Sequence, residues 1–387
     1  MTQTLRFSSI HLANWRNFVR TQTELQRRIF LIGPNASGKS NFLDVFRFLR
    51  DIVSVGGGLE EAVRKRGGLS RLRCLAARNP SDIVVEVCLG NDDEPRVWEY
   101  ELRITQDKKE RPLIKRERIA HNGTNLLTRP GADDKADTER LTQTYLQQVN
   151  VNRPFRAVVD FFASVRYLHI VPQLVREPDR SAGLRNDPYG GDFLEQVARN
   201  SDKRLKTRLR HIQNALKVAV PQLKELELWR DTRGTPHLRG KYEHWRPQGA
   251  WQTEEQFSDG TLRLLGLLWA VLDGTGPLLL EEPELSLHPG VTRFIPQLLA
   301  RMQSRTGRQV LISTHSTDLL RDDGIGLDEV LLLTPSEEGT SVKPASEFKD
   351  IKALLEGGRI NLVDAVIPHT RPKLAEQLML FANGTSP

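Results

Sequence analysis

The sequence has few of the features of an exported, disulfide-bonded or membrane-inserted protein. Cys74 and Cys88 are the only cysteines among 387 residues, and they form no C-x-x-C pair. This excludes a disulfide framework and a cysteine-based zinc site. No apolar run approaches the roughly eighteen residues of a membrane-spanning helix, and the N-terminus lacks the apolar core of a signal peptide. We therefore expect a cytoplasmic protein with no membrane partner.

The octapeptide GPNASGKS follows the apolar run Ile29–Ile32 and precedes a helix-like stretch from Asn41 to Arg50. A strand, a glycine-rich loop and a helix form the context of a P-loop, in which backbone N–H groups and the helix N-terminus face phosphates. The pattern predicts a nucleoside triphosphate site, with Lys39 on the β- and γ-phosphates and Ser40 on Mg²⁺. The predicted phosphate-binding residues are Gly33, Pro34, Asn35, Ala36, Ser37, Gly38, Lys39, Ser40 and Asn41.

A second cluster, PLLLEEPE, is an apolar strand that ends in carboxylates. Pro283 ends the strand and leaves Glu281 and Glu282 at its C-terminal tip, where open α/β sheets bind their ligands. We expect Glu281 to hold Mg²⁺ through its hydration shell and Glu282 to act as general base. An aspartate is more usual at the first position. The alternative interpretation is a buried strand followed by two solvated glutamates.

Two further elements lie at suitable distances from this strand. Phe257–Thr261 opens a strongly apolar helix, with Ser258 or Asp259 as its N-cap. Downstream, the apolar strand that starts at Gln309 ends in His315. Taken alone, each has an ordinary structural explanation, a capped helix and a structural histidine.

In this order, the four elements resemble the ATP-binding cassette (ABC) ATPases, in the branch that contains RecF, SMC and OLD-like proteins. Ser258–Thr261 is similar to their signature motif, with Asp259 in place of the more usual glycine. Glu284–Pro289 is similar to the D-loop, His315 falls where the switch histidine does, and Asn14–Phe18 resembles the N-terminal motif of this branch. The resemblance covers roughly residues 1–50 and 250–335.

The resemblance implies an ATPase that uses ATP and Mg²⁺ and forms a homodimer around ATP. Ser258, Asp259 and Gly260 of one subunit would then contact the nucleotide of the other. Glu282 would activate water, His315 would sense the γ-phosphate, and Lys39 would complete the catalytic set. The superfamily usually carries a magnesium-contacting Gln between the P-loop and the signature. No Gln lies between Gln26 and Gln106, and we assign no residue to this role.

The expected fold is α/β: a split ABC-type P-loop domain with an antiparallel β-subdomain and a helical lobe inserted between the P-loop and the signature. Alternation at 83–87 and 97–102 predicts a β-meander, whereas residues 120–140 predict a long flexible connection. The predicted units are an N-terminal ATPase half over 1–119, a mainly helical lobe over 120–222, a C-terminal half over 223–340 that begins with a hairpin, and a helical tail over 341–387, broken at Pro368 and Pro372.

A net charge of +7 indicates an anionic partner without identifying it. DNA is one candidate, and a solvated basic face is the alternative. The basic residues form three clusters, Arg64, Lys65, Arg66, Arg71, Arg73 and Arg78; Lys108, Lys109, Arg111, Lys115, Arg116 and Arg118; and Lys203, Arg204, Lys206, Arg208 and Arg210.

The resemblance favours an ATPase subunit of a prokaryotic phage-defence system that acts with a separately encoded effector, either a nuclease or a toxin-like protein. Roughly seventy residues follow His315, too few for an OLD-like nuclease domain. A RecF-like DNA repair or recombination ATPase is the alternative. The D-loop and N-terminal motifs argue against a transporter ATPase, and the lack of sustained heptads argues against a rod-forming SMC protein.

Overall fold

The computed structural model describes residues 4–78, 82–181, 187–245, 250–356 and 360–371. These residues form three β-sheets with helices between and around them. The strands are β1 Arg6–Trp15, β2 Phe18–Glu24, β3 Arg28–Ile32, β4 Ile83–Gly90, β5 Trp98–Gln106, β6 Pro112–His121, β7 Thr124–Arg129, β8 Arg166–Leu168, β9 Leu223–Arg230, β10 Pro236–Tyr242, β11 Ala250–Thr253, β12 Leu278–Glu281, β13 Val310–Ser313, β14 Val330–Ser336 and β15 Gly339–Pro344. The helices are α1 Lys39–Val53, α2 Leu59–Arg64, α3 Leu69–Leu72, α4 Ala132–Ala136, α5 Arg156–Ala163, α6 Pro172–Val175, α7 Phe193–Ala198, α8 Asp202–Ala219, α9 Asp259–Leu272, α10 Pro289–Thr292, α11 Ile295–Thr306, α12 Lys349–Glu356 and α13 Leu362–Thr370.

The sheet that carries the sequence motifs has the strand order β15-β14-β3-β13-β12-β8. All its pairings are parallel except that of β15 with β14. Every residue of β3 and β13 is buried, as expected of parallel strands covered on both faces. Ser313 at the end of β13 pairs with Leu31 on one side and with Glu281 on the other. The carboxyl ends of these strands therefore meet at one edge.

The second sheet is antiparallel, with the order β2-β1-β4-β5-β6-β7. It contains the predicted meander, since β4 pairs with β5 and β5 with β6. The flexible connection predicted for 120–140 is wrong, because β7 and α4 lie there. Arg129 is buried between Glu117 and Asp134, at 3.1 and 2.7 Å. Ion pairs therefore order a segment that looks flexible because it is polar.

Helix α1 lies between these two sheets and fixes the end of the P-loop. Phe46 on α1 contacts Phe7 of β1 with ring centroids 4.7 Å apart, and Phe48 contacts Trp15 at 5.2 Å. These residues share one hydrophobic cluster with Leu279 of β12 and Leu311 of β13. The first residue of the helix, Lys39, is therefore set by packing against both sheets.

The inserted region is helical from α4 to α8 but also supplies β7 and β8 to the two large sheets. In α8 the side chains of Leu205, Leu209, Ile212 and Leu216 are buried. The hairpin expected over 223–256 is a sheet with the order β11-β10-β9 in the described residues. None of the helices in the described ranges has both the length and the apolar character needed to cross a membrane.

The break predicted at Pro368 is wrong, because α13 continues through it to Thr370. Pro368 has no N–H and cannot donate to the carbonyl one turn earlier, and the helix ends two residues beyond it. Pro372 and the rest of the predicted tail lie outside the described residues.

Arg66 is not available to a phosphate, although the sequence assigned it to a basic cluster. Its guanidinium is buried and reaches Asp44 Oδ1 at 2.8 Å and Asp51 Oδ2 at 3.0 Å, both on α1. Burial alone would raise the pKa of Asp44, but Arg66 and neighbouring arginines hold that pKa below its usual value. Arg66 thus links the segment after α2 to the P-loop helix.

Replacing Arg66 by Met should destabilise the protein strongly, because it removes the buried guanidinium that bridges Asp44 and Asp51. Arg16 and Arg50 still pair with these carboxylates, but they compensate only part of the buried charge. We expect a loss of about 3–5 kcal/mol in the free energy of unfolding, measured by urea denaturation at neutral pH. The loss should shrink as the pH falls through the acidic range, since a protonated Asp44 needs no counter-charge. Arg64→Met, which removes an exposed ion pair with Glu61, is the control and should unfold like the wild type. Equal stability of the two variants would contradict this account.

Candidate active site

The loop between β3 and α1 has the backbone that a P-loop requires. Gly38 has φ 95°, and a Cβ on Gly33 would lie 2.5 Å from the carbonyl oxygen of Leu333. Only glycine fits either position without displacing a neighbour. The Ser37 hydroxyl is buried in this loop with no hydrogen-bond partner among the described residues. The loop thus leaves a polar group for a ligand to satisfy.

Lys39 closes the loop from its helical end. Its Nζ donates to the carbonyl oxygens of Gly33 at 2.9 Å and Pro34 at 3.1 Å. Burial lowers the pKa of Lys39 to about 8, against the opposing effect of Glu282 and Glu281. A bound polyphosphate would supply the negative charge that stabilises the ammonium form.

Ser40 and Glu281 meet although 241 positions separate them in the chain. The Ser40 hydroxyl lies 2.5 Å from Glu281 Oε1, while the other carboxylate oxygen accepts a hydrogen bond from the Tyr167 hydroxyl. A hydroxyl and a carboxylate are hard oxygen ligands, and Mg²⁺ usually takes only one or two such protein groups beside phosphates and water. The pair therefore fits a magnesium ion bound together with a nucleotide.

Glu282 follows β12 with a backbone φ of 44°, an uncommon value outside glycine. Its N–H donates to the Ser313 carbonyl at 2.9 Å, which fixes the turn. One oxygen of its carboxylate lies 3.6 Å from His315 Nε2. Partial burial and the nearby Lys39 lower the pKa of His315, whereas Glu282 opposes them. The net effect favours the neutral imidazole over the protonated form.

Glu284 has a role that the sequence did not predict. The Thr314 hydroxyl donates to Glu284 Oε1 at 2.5 Å, and the His315 N–H lies 3.4 Å from the same oxygen. Burial raises the pKa of Glu284, and its Oε2 is buried with no partner among the described residues. Glu284 thus connects the D-loop to the strand end that carries His315.

The predicted signature residues lie at the start of α9. Ser258 is the N-cap, and its hydroxyl accepts from the Thr261 N–H at 3.2 Å. A Cβ on Gly260 would lie 2.5 Å from the Ser286 carbonyl, so α9 begins directly against the D-loop. Asp259 forms an ion pair with Arg176 at 2.6 Å. Within the described residues, no hydrogen bond joins the signature to the P-loop of the same chain.

Strand β8, which the sequence analysis missed, lies next to β12. It ends just before His169, whose Nδ1 is 3.3 Å from the Glu281 carbonyl, and α6 then begins with Pro172 and the exposed Gln173. Gln106 lies elsewhere, opposite Pro112 at the end of β5. The run VRYLHIV before Pro172 is rich in strand-forming residues and was the available signal.

The N-terminal motif Asn14–Phe18 forms the turn between β1 and β2 and packs against the P-loop. The Trp15 indole donates to the Asn41 carbonyl at 3.0 Å, and Arg16 pairs with Asp44 at 3.1 Å. The Asn17 side chain is the nearest neighbour of Gly38 and accepts from the Asn41 amide. This motif therefore supports the first turn of α1.

Comparison with protein families gives a match over residues 28–322, to the family described as "AAA domain, putative AbiEii toxin, Type IV TA system". The matched range contains the P-loop, the signature, β12 and His315. The chain belongs to this AAA family. It is an ABC-type ATPase of the RecF/SMC/OLD-like branch, and it binds and hydrolyses ATP. No significant match to a curated protein sequence was found.

Solved structures confirm the fold of this AAA-family ATPase. An SMC head bound to the C-terminal winged-helix domain of ScpA is 13% identical with a TM-score of 0.54, covering 87% of this chain and 96% of that one. An SMC head domain with an extended coiled coil, bound to the C-terminal domain of ScpA derived from Pyrococcus furiosus, is 11% identical with a TM-score of 0.53, covering 92% of this chain and 100% of that one. Both similarities confirm the predicted α/β class and ABC-type P-loop fold.

Proposed function

We propose that this ATPase is a MgATP-dependent switch whose catalytic residues are Lys39, Glu282 and His315. The observation that supports it best is the meeting of Ser40, Glu281, Glu282 and His315 at one edge of the parallel sheet, beside the P-loop. This edge is where open α/β sheets bind their ligands.

Each group has a distinct task in the proposed mechanism. Backbone N–H groups of the P-loop, other than at Pro34, and the Lys39 ammonium bind the phosphates. Ser40 and Glu281 would hold Mg²⁺, which would neutralise charge on the β- and γ-phosphates. Glu282 accepts a proton from the attacking water, and neutral His315 donates a hydrogen bond to the γ-phosphate. Gln173, which is exposed shortly after the strand beside β12, is the proposed magnesium-contacting Gln.

The signature is proposed to act on the nucleotide of a second subunit. Ser258, Asp259 and Gly260 lie at the N-terminus of a long helix, whose partial positive charge suits a γ-phosphate. They are not bonded to their own P-loop within the described residues. A twofold homodimer around two ATP molecules would bring each signature to the opposite P-loop. ATP would close the dimer, and hydrolysis would release it.

Replacing Glu282 by Gln should leave ATP binding intact and slow hydrolysis by at least ~100-fold, because the water loses its proton acceptor. Phosphate release and nucleotide affinity, measured separately, test this. Lys39→Ala should instead weaken binding itself, and Glu338→Gln, on the exposed β14–β15 turn, should change neither quantity. Normal turnover in the Glu282 variant would rule out its role as general base.

The Glu282→Gln variant should dimerise when ATP is added, since ATP persists in the site. Light scattering should show a doubling of mass that ADP does not produce. Adding Ser258→Arg should abolish the dimer by placing bulk where the partner's nucleotide would lie. The matched control is Ser201→Arg, which alters the N-cap of α8 instead. A variant that stays monomeric with saturating ATP would contradict the trans arrangement.

The proposed biological role is that of an ATPase subunit in a prokaryotic phage-defence system with a separate nuclease or toxin-like effector. The description of the matched family, which names a toxin of a toxin–antitoxin system, supports this class of process. A RecF-like repair or recombination ATPase is the second candidate, favoured by the SMC head-like fold. A neighbouring effector gene would favour the first role, and neighbouring recombination genes the second.

DNA remains a proposed partner, and the basic residues differ in whether they already pair with acidic side chains. Lys115, Arg116 and Arg118 pair with Asp82, Glu101 and Glu99. Arg208 pairs with Asp273 and lies over the Trp269 ring. By contrast, Lys203, Arg204, Lys206 and Arg210 are exposed along α8, whose apolar side is buried. The exposed face of α8 is therefore the proposed DNA contact.

Changing Lys203, Arg204 and Arg210 to Gln should weaken duplex DNA binding and flatten its salt dependence by about one unit of slope per lost phosphate contact. Binding titrations between low and physiological salt measure this slope. The matched control replaces Lys115, Arg116 and Arg118 by Gln, which removes the same formal charge from side chains already paired. Equal slopes in the two triple variants would exclude α8 as the DNA contact.

A further inference from the structure

The register between β8 and β12 places Tyr167 on the same face of the sheet as Glu281. Tyr167 pairs with Leu279, and side chains at matched positions of parallel strands point the same way. Because the side-chain period of a strand is two, Glu281 projects to that face as well. This face carries the cluster of α1, against which Tyr167 packs. The phenol can therefore reach Glu281 from beneath.

The hydroxyl and the ring of Tyr167 each have a partner. The hydroxyl donates to Glu281 Oε2, while the guanidinium of Arg47 on α1 lies over the ring, 4.3 Å from its centroid. A tyrosine hydroxyl can donate, whereas an ionised carboxylate can only accept a hydrogen bond. The hydrogen bond therefore has a fixed donor and a fixed acceptor.

This hydrogen bond restricts the rotational freedom of the Glu281 carboxylate. A glutamate has one more rotatable bond than the aspartate usual here, and its carboxylate can swing away from the metal. With Oε2 bound by Tyr167, the other oxygen faces Ser40 at 2.5 Å. The carboxylate is thus held in an orientation in which it and the Ser40 hydroxyl can bind the same metal ion. Hydrogen bonds that orient metal-binding carboxylates commonly control metal affinity.

We propose that Tyr167 is a positioning residue that orients Glu281 for Mg²⁺. The inference rests on the proposed metal role of Glu281 and adds to it a residue that no sequence motif contains. Tyr167 itself touches neither metal nor nucleotide in this proposal. Its effect should consequently appear in magnesium-dependent binding and disappear when Glu281 can no longer bind the ion.

The test compares the affinity for a fluorescent ATP analogue in Mg²⁺ and in EDTA. Tyr167→Phe removes only the hydroxyl, and we expect it to reduce the magnesium-dependent gain in affinity by about tenfold. Affinity in EDTA should equal that of the wild type, which also shows that the variant is folded. The same variant should need more Mg²⁺ for half-maximal hydrolysis. Tyr242→Phe, a half-buried tyrosine on β10, is the control and should change nothing.

A double-mutant cycle separates this inference from the metal role on which it depends. If Tyr167 acts through Glu281, Tyr167→Phe should have no further effect in a Glu281→Gln background. Additive losses, or an unchanged magnesium gain in Tyr167→Phe, would overturn the positioning role. If Glu281→Gln alone leaves the magnesium gain intact, the metal role of Glu281 fails instead.

Discussion

The arrangement of the site depends on parallel pairing. Because β3, β13, β12 and β8 run in the same direction, the loops that follow them leave the sheet at one edge. The P-loop, the glutamates and His315 are far apart in sequence, and only this pairing makes them neighbours. The packing of α1 and the contacts of Arg16 and Asn17 then fix the position of the phosphate loop relative to that edge.

The charges of the chain illustrate how far composition can mislead. The sequence shows three basic clusters, but Arg66 is buried beside two aspartates and Arg118 pairs with Glu99. The pairs of Arg66 hold α1 to the segment after α2, and the pair of Arg118 joins two strands of the antiparallel sheet. These cations are therefore already occupied by acidic side chains. The net charge alone does not say which cations are internal. Side-chain exposure, as along α8, distinguishes the basic residues that face solvent from those that form internal ion pairs.

The parts of the fold that could be predicted from the sequence are those encoded locally. The P-loop, the strand before Glu281 and the capped start of α9 each carry a motif within a few residues. Glu284, by contrast, depends on a contact with Thr314, thirty positions away. Strand β8 has only three residues. Strand-forming residues around it indicate a strand, but its place beside β12 follows from tertiary packing. Arg129 orders a polar segment through partners that no local pattern reveals.

The neighbours of β3 also bear on how the protein is made. The strand that leads into the P-loop lies between β13 and β14, and the Leu333 carbonyl closes over Gly33. A ribosome releases the P-loop first and these neighbours some three hundred residues later. During that interval the apolar segment that forms β3 has no partner strand on either side. Such exposed, unpaired segments tend to aggregate. The nascent chain is therefore expected to need protection, and ATP binding should appear only after most of the chain has been synthesised.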